Sequence, residues 1–160
     1  MVIRKSYDYD QPIPLYRPGV VRSKLDSMTS APTFTLDRRT VLHLAPDQSV
    51  STLLIGEDSW AQADSVPELQ DGRIMCVFAY ETSWTWWERH PVGTELVLAL
   101  SGAVVFHLQH DDGSGARSVA LAEGECLLVP EGAWHRAEIS SPTTMLFVTP
   151  TPALTQHRDA

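Results

Sequence analysis

The chain has 160 residues, 43% of them hydrophobic, which suits one domain with a sizeable core and no need of disulfide or metal staples. Asp and Glu number 20 against 12 Lys and Arg, a net charge of −8 with no basic cluster, which argues against nucleic-acid binding and against an anionic membrane surface. No apolar run approaches the roughly 20 residues of a membrane-spanning helix.

In chain order, residues 1–30 carry Pro12, Pro14, Pro18 and Gly19 among polar residues, so they read as an extended N-terminal arm. The opening MVIRKSYDYDQPIP lacks the apolar segment of a secretory leader, and the expectation is a cytoplasmic protein. From residue 31 to 150 the signals are short runs of β-branched, aromatic and aliphatic residues, punctuated by turns. Strands are predicted at Thr40–Leu44, Val50–Ile55, Arg73–Tyr80, Trp84–His90, Glu95–Leu100, Ala103–Leu108, Ser118–Leu121, Cys126–Val129, Trp134–Ile139 and Thr144–Thr149. Only Ser59–Leu69 offers a short helical turn, limited by Pro67. Residues 151–160, with Pro152, read as a flexible C-terminal tail. Many short strands and no long helix predict an all-β sandwich or barrel.

Cys76 and Cys126 stand far apart in strand-like runs and are expected to be buried, reduced thiols. His43, His107 and His110 are assigned no role. Asp111-Asp112-Gly113 lacks EF-hand spacing and reads as a solvated turn.

Two stretches concentrate groups able to do chemistry. In Trp84-Thr-Trp-Trp-Glu88-Arg-His90, strand alternation puts Trp84, Trp86, Glu88 and His90 on one face, with Trp87 and Arg89 on the other. Pro91-Val-Gly93 can then turn the chain so that Glu95 on the next strand reaches the same spot. The second stretch, Gly124 to His135, has Pro130 and Gly132 after a strand and presents His135. Trp134, one residue earlier, is expected to face outward, into another layer or an interface.

These stretches resemble the two signature motifs of the cupin superfamily, G(x)5HxH(x)3,4E(x)6G and G(x)5PxG(x)2H(x)3N. His90, four residues, Glu95, six residues and Gly102 match the later part of the first; Gly124, five residues, Pro130-Glu-Gly132, two residues and His135 match the second. Glu88 stands where the first motif has its first histidine, Ile139 stands where the second has asparagine, and no glycine precedes Glu88 at the motif distance.

The resemblance implies a double-stranded β-helix, the jelly-roll barrel of cupins, behind the N-terminal arm. It also implies a metal site at Glu88, His90, Glu95 and His135. Two imidazoles and two carboxylates suit Fe, Mn, Zn or Ni. Glu88 is open to three roles: ligand, general base, or partner of an arginine at the barrel mouth. His90 and Glu95 stand alternatively as a plain buried hydrogen-bonded pair. Trp84 and Trp86 would line a pocket for an aromatic or cyclic substrate, with Trp84 leaning to core packing.

The functional expectation is a metal-dependent cupin acting on a small organic molecule, leaning by family analogy to dioxygenase chemistry. A non-catalytic metabolite-binding or scaffold cupin is the alternative, and a metal-dependent isomerase or hydrolase the second. The arm and the outward Trp87 favour a homodimer.

Overall fold

The computed structural model describes residues 33–37, 39–55, 65–150 and 155–160. The expected N-terminal arm, and the part of the expected helical turn over 59–64, lie outside them.

Alternation of buried and half-exposed residues dominates the described chain, as in Glu95–Ser101, where Glu95, Val97 and Ala99 point inward. Eleven strands result among the described residues: β1 (Thr40–Leu44), β2 (Val50–Leu54), β3 (Arg73–Tyr80), β4 (Trp86–Arg89), β5 (Glu95–Ser101), β6 (Ala103–Gln109), β7 (Arg117–Ala122), β8 (Cys126–Val129), β9 (Trp134–Ile139), β10 (Thr143–Pro150) and β11 (Gln156–Asp159). Pro67–Leu69 forms one short 3-10 turn, the remnant of the helical signal.

The strands form two antiparallel sheets, ordered β2-β1-β3-β10-β5-β8 and β11-β4-β9-β6-β7. From β3 to β6 and again from β7 to β11, successive strands alternate between the sheets, as in a double-stranded β-helix. Val41, Cys76, Val97, Met145 and Phe147 of the first sheet pack against Val104, Phe106, Ala137 and Ile139 of the second. Gly102 makes the β5–β6 turn with φ +77°, and a Cβ there would meet the Pro142 carbonyl oxygen at 2.6 Å, so only glycine fits.

Two expectations need correction, and a third gains detail. The C-terminal residues do not fray: Gln156–Asp159 pairs antiparallel with β4 and closes the edge of the second sheet. The polar sequence Gln-His-Arg-Asp has no apolar alternation, so its strand signal lies wholly in what it docks against. Cys126 is exposed, because β8 turns Leu127 and Val129 inward and Cys126 with Leu128 outward; Cys76 is buried, and both thiols are free. Trp134 does face outward from the barrel, yet it is buried, covered by the guanidinium groups of Arg89 at 4.7 Å and Arg158 at 4.3 Å.

Candidate metal centre

Strand β4 carries Glu88, and its extended backbone delivers Glu88 and His90 to the same inner face. The chain turns through Pro91–Thr94 and enters β5 at Glu95. On the neighbouring strand β9, His135 lies directly across from Glu88 in the ladder. Two bonds knit the loops that aim these residues: the Gly132 N–H donates to the His90 carbonyl at 2.9 Å, and the Gly93 N–H donates to Glu131 at 3.0 Å.

The structure brings all four sequence-predicted residues together. Glu88, His90, Glu95 and His135 each offer one ligand atom, and these atoms lie within 4.8 Å of one another. His90, Glu95 and His135 are buried and Glu88 is partly buried. His90 Nε2 sits 3.1 Å from Glu88 Oε1 and 3.3 Å from Glu95 Oε1, while His135 Nε2 sits 3.2 Å from Glu95 Oε2.

Short distances alone do not make hydrogen bonds, and here the angles fail. His90 Nε2, His135 Nε2 and Glu95 Oε2 are buried with no hydrogen-bond partner in acceptable geometry. His135 shows why. Its Nδ1 lies 3.3 Å from the Ala133 carbonyl, which can only accept, so the neutral ring carries its proton on Nδ1. In that tautomer the Nε2 lone pair faces a carboxylate oxygen, a contact relieved either by a proton on Nε2 or by a cation between the two. A divalent cation satisfies all three atoms at once, so the residues fit a metal.

Each ligand candidate has its own orienting partner. His90 Nδ1 meets the Thr155 hydroxyl at 3.1 Å, the Thr149 hydroxyl donates to Glu95 Oε1 at 2.6 Å, and Glu88 Oε2 lies 3.2 Å from His157 Nε2. Thr149, Thr155 and His157 were not identifiable from motif spacing. The arginine partner suggested for Glu88 is instead His157, supplied by β11.

The electrostatics follow from this packing. In the metal-free protein, burial opposes the charge on Glu88, but the hydrogen bond from His157 and the close imidazoles of His90 and His135 prevail and hold it well below the usual carboxylate range. Glu95 is likewise lowered against its burial, by His135 and His90. Burial pushes His90 down, yet Glu88 and Glu95 together raise it to about 9. Burial, reinforced by Glu95 and Glu88, pushes the Cys76 thiol far up, so it stays protonated.

Above the quartet lies an aromatic wall. Trp84 and Trp86 stack at 5.6 Å with 7° between their planes, and Trp84 also meets His135, Phe106 and Phe147. Trp84 is buried and belongs to the core; Trp86 is half-buried and packs against it. Both indole Nε1 donors are buried without a partner. Among the other histidines, His43 bonds the Asp71 carbonyl and His107 bonds Ser118 and Glu138, all away from the quartet.

Comparison with known proteins agrees with this architecture. Residues 75–149 match the family model of the cupin domain. This segment, just under half of the chain, carries the likeness to cupins. Comparison with curated proteins gives no match.

Among solved structures, the chain is similar to a hydroquinone 1,2-dioxygenase from Sphingomonas sp. TTNP3 with 4-hydroxybenzoate bound. The identity is 23%, over 49% of this chain and 59% of that one, with a TM-score of 0.42. It is also similar to a protein with a double-stranded β-helix domain from Klebsiella pneumoniae, at 20% identity over 57% and 77% of the two chains, TM-score 0.46. A cupin-2 domain protein from Shewanella frigidimarina gives 17% over 49% and 70%, TM-score 0.39. No helix among the described residues is long and apolar enough to cross a membrane.

Proposed function

We propose that this chain is a cupin that holds one divalent metal ion through Glu88, His90, Glu95 and His135 and acts on a small cyclic or aromatic molecule. The observation that carries the metal is that ligand atoms of all four residues lie within 4.8 Å of one another while His90 Nε2, His135 Nε2 and Glu95 Oε2 are buried without a hydrogen-bond partner. Two imidazoles and two carboxylates suit Fe, Mn, Zn or Ni. The carboxylates favour the harder members of that set. When bound, such an ion supplies Lewis acidity and, for iron, redox chemistry.

The chain's own groups supply the rest. Trp86, stacked on the rigid Trp84, offers a flat apolar face, and its unpartnered Nε1 donor suits an oxygen acceptor on the substrate. Glu88, held ionised, is a poor proton acceptor and a good anionic ligand, which favours the ligand role over that of general base. Dioxygenase chemistry is placed ahead of isomerase or hydrolase chemistry on the likeness to cupins, a warrant at the level of the fold. A cytoplasmic location and a homodimer complete the reading. The dimer is supported by Leu100 and Leu128, which are exposed on the outer face of the first sheet.

Metal content, measured by mass spectrometry on tag-free protein beside Glu88→Ala and His135→Ala variants, tests the site. About one metal per chain, lost in both variants, is expected. Loss only with His135→Ala would move Glu88 to a general-base role. No metal after reconstitution would overturn the reading and leave a non-catalytic binding barrel, to be screened for ligands.

A further inference from the structure

Strand β11 has two faces with different partners. Its outward residues are Gln156 and Arg158. Arg158 lies over Trp134 at 4.3 Å and over Trp87 at 5.6 Å, and Gln156 Oε1 accepts from Arg89 Nε at 3.0 Å. Arg89 and Arg136 cover the same two indoles, at 4.7 Å from Trp134 and 5.4 Å from Trp87. The Ala160 N–H adds a bond to the Thr85 carbonyl at 3.1 Å. Stacked guanidinium–indole contacts of this kind contribute about 0.5–2 kcal/mol each.

The inward side of the same segment carries Thr155 and His157. Thr155 meets His90 Nδ1, and His157 meets Glu88 Oε2. In the ladder, His157, Glu88 and His135 form one continuous row across β11, β4 and β9. Two of the four ligand candidates are therefore oriented by six C-terminal residues that a stack on the opposite face holds down.

We propose that β11 is a clasp for the metal centre: Thr155 and His157 are positioning residues for His90 and Glu88, and the Arg158–Trp134–Trp87 stack latches them in place. This rests on the metal-site reading above. A ligand oriented by a fixed partner loses less freedom when the ion binds, so docking of β11 and metal binding reinforce one another. The coupling is reciprocal: metal tightens the clasp as much as the clasp tightens metal binding. Arg158 thus acts on an ion from the far side of the sheet.

Chelator competition with Co2+ on the full chain tests this, read with the Co2+ absorption spectrum and hydrogen exchange. His157→Ala and Arg158→Ala are each expected to weaken Co2+ binding about ten- to a hundredfold. His157→Gln, which keeps a side-chain N–H donor, is expected to recover most of the loss and the unaltered spectrum. In the unsubstituted protein, the amides of 156–159 are expected to exchange more slowly with Co2+ bound, an outcome that depends on no variant folding.

Wild-type affinity in both alanine variants, or exchange at 156–159 indifferent to Co2+, would overturn the clasp and leave the metal site standing. Absence of Co2+ binding by the unsubstituted chain would bring down both.

Discussion

The Thr149 hydroxyl donates to Glu95 Oε1 at 2.6 Å, and this bond fixes the carboxylate so that Oε1 faces His90 and Oε2 faces His135. Both residues are buried, so neither can exchange the bond for water. With Oε1 anchored on β10, Oε2 is left beside His135 Nε2.

Thr149→Val keeps the shape of the side chain and removes the donor. Metal affinity is expected to fall about ten- to a hundredfold, as for other partners that orient a ligand. Stability of the metal-free protein should fall by about 1–3 kcal/mol, because a buried carboxylate oxygen loses its bond. Thr149→Ser should restore both. Chelator competition and urea denaturation of the three proteins check this; wild-type affinity in the valine variant would remove Thr149 from the site.

Proton competition gives a second prediction. His90 must give up its proton to bind a metal through Nε2, and in the metal-free protein its pKa is raised from 6.5 to about 9. Metal affinity should therefore climb with pH between these values, by about tenfold per unit for one displaced proton. The metal-free protein should show the opposite trend. A group whose pKa is raised on folding adds stability that is full below 6.5 and is lost as pH rises through about 9. Calorimetry in buffers of different ionisation enthalpy counts the released proton, and thermal melts with and without chelator read the two slopes.

Three members of the cluster were legible because their geometry is local, and His135 because Gly124–His135 resembles the second cupin motif. Glu88 and His90 share a face by strand alternation, a four-residue turn returns Glu95, and the Pro130–Gly132 turn sets His135 on the next strand of the sheet. Strands such as Arg73–Tyr80 and Trp134–Ile139 carry their bounds in their own composition. What orients the cluster was not legible. Thr149, Thr155 and His157 lie 54, 65 and 69 residues from the groups they touch, and no spacing rule links them. Strand β11 exists because of arginine–indole contacts rather than an apolar pattern. The outward turn of Cys126 depends on a register that an apolar run leaves open.

The tryptophan pair divides into a packing member and a contact member. Trp84→Ala should cost about 3–5 kcal/mol in urea unfolding, as for a large aromatic removed from a close-packed interior. Trp86→Phe keeps the stack and removes one indole donor. Its stability should change by less than about 1.5 kcal/mol. If Trp86 lines the substrate pocket, affinity for a ring bearing an oxygen acceptor should drop about tenfold while metal content is unchanged. Equal ligand affinity in the phenylalanine variant would return Trp86 to the core.

The two cysteines should separate cleanly under a thiol reagent. Cys126 is exposed on β8, whereas Cys76 is buried on β3 and its thiol is pushed far above the ordinary range by burial and by Glu95 and Glu88. Reactivity follows the accessible thiolate, so native protein should titrate as one fast thiol per chain, and denatured protein as two. Cys126→Ser should abolish the fast phase and Cys76→Ser should leave it. If the exposed β8 face is the dimer contact, Cys126 will react more slowly as protein concentration rises, since Leu98 and Leu128 beside it would then be covered. A rate independent of concentration across the range in which the dimer forms would place the contact elsewhere.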